Sequence, residues 1–141
     1  TDIKMTRFWI TLDQGVEFVK KCFTLMQGGE IFVPKIPSVK IFDLADAMGP
    51  GLNKKIIGIR PGEKIHEVMC PSDDSHLTYE FNDYFVIAPS FSFVDINIDF
   101  LKNLKGEKGI TVKRNFEYNS GSNNKFLSKK QILLINKKIK F

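Results

Sequence analysis

The chain of 141 residues lacks several features that whole classes of protein need. It has two histidines and two cysteines, and their positions give no metal-ligand spacing. No apolar run approaches the roughly 20 residues of a membrane-spanning helix, and no signal peptide is visible. No G-x-G-x-x-G or G-x-x-G-x-x-G turn is present. We therefore expect no metal site, no membrane segment and no dinucleotide turn within these residues.

Charge is distributed unevenly along the chain. Residues 102–141 hold 11 Lys/Arg against two acidic residues, whereas residues 1–101 hold 10 against 14. A basic tail can attract nucleic acid or anionic membranes. These lysines are scattered among Asn and Ser without a nucleic-acid motif, which argues against nucleic acid as a partner. We predict an α/β lobe at 1–101 and a basic extension at 102–141, whose terminal helix packs on the same lobe.

The apolar pattern predicts alternating strands and helices up to about residue 70, which is typical of α/β structure. Strands are expected at 8–12, 31–33 and 56–59, the last as a buried strand because of its β-branched run. Helices are expected at 13–26, around 41–48 and at 64–70. Further on, a hairpin is predicted around residues 82–83, and a capping box at 128–131 predicts a terminal helix that carries Ile139 among its apolar residues.

The first helix is predicted to begin at Asp13, a good N-cap residue. Its inward face is expected to consist of five apolar residues at helical spacing: Phe18, Val19, Cys22, Phe23 and Met26. The cysteines Cys22 and Cys70 lie in apolar surroundings and are expected to be buried thiols, which fits a reducing, cytoplasmic compartment.

The segment Arg60-Pro61-Gly62-Glu63-Lys64 follows an apolar run and has the composition of a binding turn. Arginine offers a planar fork of donors that fits two phosphate oxygens. Pro61 presets φ and Gly62 tolerates positive φ, so the backbone turns with little strain. Glu63 can accept hydrogen bonds from ribose hydroxyls. These five residues alone fit a nucleotide diphosphate site and a surface turn with an Arg–Glu pair equally well.

Five segments in register carry a resemblance that covers nearly the whole chain. They are 5–13 (MTRFWITLD), 31–38 (IFVPKIPS), 60–67 (RPGEKIHE), 79–87 (YEFNDYFVI) and 118–123 (YNSGSN). In this order they resemble the C-terminal part of the inverting UDP-N-acetylglucosamine 4,6-dehydratases, within the extended short-chain dehydrogenase/reductase family. The implied fold is the substrate-binding portion of a Rossmann-type α/β fold whose cofactor-binding half is missing. Strand 31–33 would then belong to a parallel sheet and pair with strands that this chain lacks.

The resemblance also implies a set of substrate-binding residues. Arg7 and Arg60 would share the diphosphate, Glu63 would bind the ribose hydroxyls, and Thr6 and Met5 would line the sugar pocket. Without the resemblance, the favoured interpretation of Arg7 is a surface arginine stacked on its aromatic neighbours, and simple strand entry fits Met5 and Thr6 as well as a sugar pocket does. In the family, an Asp, a Lys and a Tyr carry out the chemistry, and no Tyr-x-x-x-Lys is present here. No catalytic residue is therefore assigned.

The implied activity is a hydride cycle with NADP. The 4-hydroxyl of the sugar is oxidised, water leaves across carbons 5 and 6, and a 4-keto-6-deoxy sugar forms with inversion at carbon 5. Such products serve pseudaminic acid and surface-glycan synthesis, including flagellin glycosylation. We expect NADP to be bound by a missing N-terminal half, the isolated chain to be inactive, and the parent to be a homo-oligomer. The alternatives are a retaining dehydratase, a UDP-sugar epimerase of the same family, or a non-catalytic binding module.

Overall fold

A computed structural model describes residues 1–91 and 98–138. In chain order the elements are β1 (Thr6–Phe8), α1 (Leu12–Leu25), β2 (Ile31–Pro34), β3 (Ser38–Lys40), α2 (Ile41–Met48), β4 (Val68–Cys70), a 3-10 helix (Ser72–Leu77), β5 (Thr78–Glu80), β6 (Tyr84–Ile87), β7 (Ile110–Thr111), β8 (Tyr118–Asn119) and α3 (Lys129–Lys138). The mixture of helices and strands confirms the predicted α/β class. Ile139, predicted on the apolar face of α3, lies outside the described residues.

The chain divides into two compact units. Unit 1 comprises Thr1–Trp9, Ile36–Val68 and the chain from Asn119 onward, and unit 2 comprises Ile10–Lys35 and Met69–Tyr118. Each unit is therefore assembled from segments that are distant in sequence. The predicted functional division into 1–101 and 102–141 follows a different boundary and stays a prediction.

Unit 1 is built on an antiparallel pair of β1 and β3, in which Arg7 lies opposite Val39. Its core contains Val39, Ala47 and Ile132, of which Val39 and Ile132 are completely buried. Because Ile132 lies on α3 and Ala47 on α2, the terminal helix packs on α2 within unit 1. The capping box predicted for α3 is present, since the amide of Ser128 donates to Oε1 of Gln131 at 2.9 Å.

Unit 2 contains a four-stranded sheet in the order β2-β6-β5-β7, and every neighbouring pair is antiparallel. β6 is central, and all four of its residues are buried. Its hairpin with β5 confirms the turn predicted around residues 82–83. The core combines Leu25 of α1 with Phe81, Tyr84 and Val86.

Strand β2 is correctly predicted, but its partner is not. It was expected to pair in a parallel sheet with strands outside the chain, whereas Val33 lies opposite Phe85 in an antiparallel pair. The strand nevertheless stands at the edge of the sheet, and Ile31 is 60% exposed there. Among residues 1–91 and 98–138, β6 is the one strand that pairs with β2.

The predicted strand at 56–59 and the predicted helix at 64–70 are both wrong. Residues 56–59 have no regular structure, and Gly58 has a φ of 75°, which interrupts an extended strand. Ile56 and Ile57 are 53% and 56% exposed. In the second segment, β4 replaces the end of the expected helix. The earlier residues of the segment form backbone hydrogen bonds with partners that are distant in sequence. The carbonyl of Ile65, for example, accepts from the amide of Thr6 at 2.9 Å.

Helix α1 differs from the prediction at its start and on its inner face. Thr11, not Asp13, is the N-cap, because Thr11 and Gln14 form a reciprocal capping box. Phe18 packs on the core of unit 2, as predicted, but Val19 and Phe23 are 53% and 71% exposed. Leu25, which was not in the predicted set, is the buried residue of the helix. The predicted apolar face is therefore correct only in part.

Candidate functional site

The guanidinium of Arg7 is held by groups from two segments of unit 1. Nη1 donates to the carbonyl oxygen of Thr6 at 2.6 Å and to that of Ile65 at 3.3 Å. Nε lies 3.4 Å from Oε1 of Glu67. The side chain is 26% exposed. Among the described residues, the hydrogen bonds of the guanidinium are therefore made by Nη1, and Glu67 supplies an ion pair beside Nε.

Thr6 is buried beside Arg7, and its hydroxyl joins a chain of polar contacts. Oγ1 of Thr6 lies 2.8 Å from Nδ1 of His66 and 2.7 Å from Oγ of Ser120. Oγ of Ser120 accepts the amide proton of Glu67 at 2.9 Å. Among the described residues, every buried side-chain nitrogen and oxygen has a hydrogen-bond partner. The hydroxyl of Thr6 is thus used inside the protein, and its predicted contact with the sugar stays a prediction.

His66 is exposed, yet its imidazole ring is held in place on one side by Gly121. A Cβ atom added to Gly121 would lie 2.5 Å from Nδ1 and 2.6 Å from Cγ of His66. Any other residue at position 121 would therefore displace the ring. The glycine allows the close approach that brings Nδ1 within hydrogen-bonding distance of Thr6.

Arg60 and Glu63 form the predicted turn. The amide of Glu63 donates to the carbonyl of Arg60 at 3.0 Å, and Gly62 has a φ of 82°, as a tight turn with glycine requires. The carboxylate of Glu63 accepts from the backbone amide of Arg60 at 2.9 Å. The same carboxylate lies 3.9 Å from Nε of the Arg60 side chain. The side chain of Arg60 is 69% exposed, so its guanidinium is accessible to a ligand.

Met5 lies in the interior of unit 1 and is 3% exposed. Its carbonyl accepts from the amide of Ile41 at 3.0 Å, which ties the start of β1 to the start of α2. This environment matches the alternative interpretation of Met5 as part of the strand entry. A contact between Met5 and a sugar stays a prediction.

The five predicted residues thus fall into two clusters and a core position. Thr6 and Arg7 share one cluster with His66, Glu67 and Ser120, whereas Arg60 and Glu63 form the other. Sequence reasoning did not assign a role to Glu67 or Ser120. Ser120 lies 53 positions from Glu67 and 114 from Thr6, so no local pattern could have paired them.

Within residues 1–91 and 98–138, no group of three or more His, Cys, Asp or Glu side chains could hold a metal ion. In the same part of the chain, no helix is long and apolar enough to cross a membrane. Unit 1 also has a cavity of about 170 Å³, and none of the predicted site residues lines it.

The described residues do not fit a dinucleotide cofactor. Such cofactors bind where a glycine-rich turn between a strand and a helix lets the pyrophosphate approach the helix N-terminus. Here α1 begins at Thr11, whose side chain caps the helix, and β3 runs into α2 through Lys40 without a glycine. Neither turn could cradle a pyrophosphate.

Comparison with known proteins shows that the chain belongs to a described family. The family described as "Polysaccharide biosynthesis protein" matches residues 1–89. UDP-N-acetylglucosamine 4,6-dehydratases (inverting) from two strains of Campylobacter jejuni are 58% and 57% identical over 96% and 94% of this chain. A UDP-glucose 4-epimerase of Rickettsia canadensis is 37% identical over 62% of the chain and 27% of its own length.

The chain spans about 40% of the length of the two dehydratases. Among solved structures, the X-ray structure of Pen from Bacillus thuringiensis superposes with a TM-score of 0.71 at 26% identity. The match covers 98% of this chain and 39% of that chain. For the two dehydratases and the Pen structure, the similarity therefore spans nearly the whole of this chain but well under half of each of those proteins.

Proposed function

Since the chain belongs to the polysaccharide biosynthesis protein family, we propose that it is the UDP-sugar-binding portion of a UDP-N-acetylglucosamine 4,6-dehydratase of the inverting type. The identity of 58% over 96% of the chain supports this assignment. The observation that carries the binding role is the guanidinium of Arg7, which is held by two hydrogen bonds from Nη1 and an ion pair with Glu67 and still has a side chain that is 26% exposed.

Two arginines suit a diphosphate, which carries about two negative charges that need partners in a partly desolvated cleft. Arg7 is half-buried and preset, whereas Arg60 is exposed and sits on a turn with Glu63. We assign the diphosphate to both arginines and the ribose hydroxyls to Glu63. Thr6 and Met5 are assigned to the side of the site nearest the sugar.

A dinucleotide such as NADP does not fit the helix-opening turns of the described residues, and the sequence has no Tyr-x-x-x-Lys pair. We therefore propose that the cofactor and the catalytic groups belong to residues outside the chain, in an N-terminal half of the same Rossmann-type enzyme. The role of this chain is to bind and orient the nucleotide sugar, which is part of catalysis. We further propose a cytoplasmic, homo-oligomeric parent that supplies pseudaminic acid for surface glycans such as those of flagellin.

One alternative has an observation in its favour. The 37% identity to a UDP-glucose 4-epimerase is compatible with epimerase activity of the parent. That match covers 62% of the chain, which is less than the dehydratases cover. The product of the parent enzyme distinguishes the two activities, because only the dehydratase forms a 4-keto-6-deoxy sugar.

The binding role is tested by calorimetry on the 141-residue chain. We expect UDP and UDP-N-acetylglucosamine to bind, and UMP to bind about tenfold more weakly because it lacks the β-phosphate. No measurable UDP binding would overturn the proposal. A parallel incubation with UDP-N-acetylglucosamine and NADP⁺ should yield no 4-keto-6-deoxy product, and detecting one would place catalytic residues in this chain.

A further inference from the structure

Ser120 is fully buried at the centre of the polar contacts around Arg7. Its Oγ accepts the amide proton of Glu67 at 2.9 Å and lies 3.2 Å from the carbonyl oxygen of Thr6. Its own amide donates to the carbonyl of Glu67 at 2.8 Å. Ser120 therefore contacts the backbone of two of the three residues that hold Arg7: Thr6, which acts through its carbonyl oxygen, and Glu67, which acts through its carboxylate.

We propose that Ser120 is a positioning residue that sets the guanidinium of Arg7 for binding the diphosphate, an inference that rests on the proposed function. Ser120 fixes the backbone of Glu67, whose carboxylate faces Nε of Arg7. It also bonds the carbonyl of Thr6, which accepts from Nη1 of Arg7. A guanidinium held in this way loses less side-chain freedom when an anion binds.

The available protons and lone pairs limit how these hydrogen bonds can be arranged. A serine hydroxyl has one proton and two lone pairs. If Ser120 donates that proton to the carbonyl of Thr6, the hydroxyl of Thr6 donates to Ser120 and accepts from Nδ1 of His66. In this arrangement the two hydroxyls, the amide of Glu67 and Nδ1 of His66 each donate one hydrogen bond. Nδ1 of His66 therefore carries a proton.

Gly121 provides a second way to perturb the same contacts without touching the hydroxyl of Ser120. Its φ is outside the left-handed region, so alanine suits its backbone, but the added Cβ would lie 2.5 Å from Nδ1 of His66. The imidazole ring must move, and its contact with Thr6 is then lost. Gly15→Ala is the matched control, because a Cβ there has nothing within 4 Å.

The test is a double-mutant cycle with UDP as the probe, measured by calorimetry on the 141-residue chain. Ser120→Ala should weaken UDP binding by about three- to tenfold, the range expected for one lost hydrogen bond to a positioned group. In an Arg7→Ala background the same change should have no further effect, because Ser120 acts through Arg7. Ser75→Ala is the matched control, since Ser75 is also buried and its hydroxyl also accepts a backbone amide, that of Asn115.

The outcomes separate this inference from the proposed function. Unchanged UDP affinity in Arg7→Ala would contradict the binding role of Arg7 itself. Two results would overturn the positioning role alone. One is weaker UDP binding in Arg7→Ala with unchanged binding in Ser120→Ala. The other is a double variant whose loss of binding free energy equals the sum of the two single losses. An equal loss in the Ser75→Ala control would show a general effect of removing a buried hydroxyl and would also overturn it.

A spectroscopic measurement keeps the inference testable if Ser120→Ala does not fold. In the ¹⁵N NMR spectrum of the unchanged chain, the Nη1 protons of Arg7 should exchange slowly, because they donate to the carbonyl oxygens of Thr6 and Ile65. Gly121→Ala should accelerate that exchange and weaken UDP binding, and Gly15→Ala should do neither. Fast exchange in the unchanged chain would refute a preset guanidinium.

Discussion

Replacing Arg60 with alanine should separate ligand binding from stability. Its side chain is 69% exposed, and its ion pair with Glu63 has a distance of 3.9 Å. Exposed pairs of this kind contribute about 0–1 kcal/mol to folding. We therefore expect Arg60→Ala to change the free energy of unfolding by less than about 1 kcal/mol.

The effect on UDP binding should be larger. A hydrogen bond to a charged group contributes about 1.5–3 kcal/mol, and each 1.4 kcal/mol is a factor of about ten in Kd. Arg60→Ala should thus raise the Kd for UDP by about 10- to 100-fold. Arg60→Lys should recover part of that loss, because lysine keeps the charge but not the planar fork that binds two oxygens.

Isothermal titration with UDP, together with thermal unfolding, measures both quantities. Arg114→Ala is the matched control, because Arg114 is an exposed arginine in unit 2 and its loss changes the net charge equally. A similar loss of affinity in both variants would indicate general attraction by a basic chain. Unchanged UDP affinity in Arg60→Ala would refute the assigned role.

Two substitutions and the chemistry of the cysteines test other parts of the structure. Glu63→Gln should abolish any preference for UDP over 2′-deoxy-UDP, and a preference that survives in titrations would remove Glu63 from the ribose site. Ile132→Ala should lower the free energy of unfolding by about 2–5 kcal/mol, because Ile132 is completely buried. Leu134→Ala, at a position that is 52% exposed, should have little effect. Urea titrations measure both. Burial raises the pKa of the Cys70 thiol to about 12, so iodoacetamide at pH 8 should label the half-buried Cys22 first, and equal labelling by mass spectrometry would contradict the buried site. Because the folded pKa of Cys70 lies above the unfolded value of 9.0, its contribution to stability is complete below pH 9.0 and should be lost as the pH rises toward about 12.

Local signals predicted the elements that depend on neighbours in sequence. The capping box of Ser128 and Gln131, the hairpin between β5 and β6 and the short helix α2 are all where the pattern indicated. In each case the determining contacts join residues a few positions apart. The turn at Arg60 and Glu63 was recognisable for the same reason, since proline and glycine encode its geometry directly.

Elements that depend on distant partners were predicted less well. The apolar run at 56–59 has the composition of a buried strand, but Gly58 adopts positive φ, and the neighbouring isoleucines are exposed. The segment at 64–70 has helical spacing, but its backbone groups bond elsewhere. The carbonyl of Ile65 accepts from the amide of Thr6, and the amide of Glu67 donates to Oγ of Ser120. A local pattern carries no information about such a competing partner.

By itself the sequence determined the α/β class, the resemblance to nucleotide-sugar dehydratases, and the two arginines and one glutamate on which the proposed site depends. Only the tertiary structure decided how those side chains are held. Thr6 and Ser120 lie 114 positions apart, and their hydroxyls are 2.7 Å apart in unit 1. The reason is physical: a buried hydroxyl needs a hydrogen-bond partner, and which partner meets it depends on how the whole chain packs.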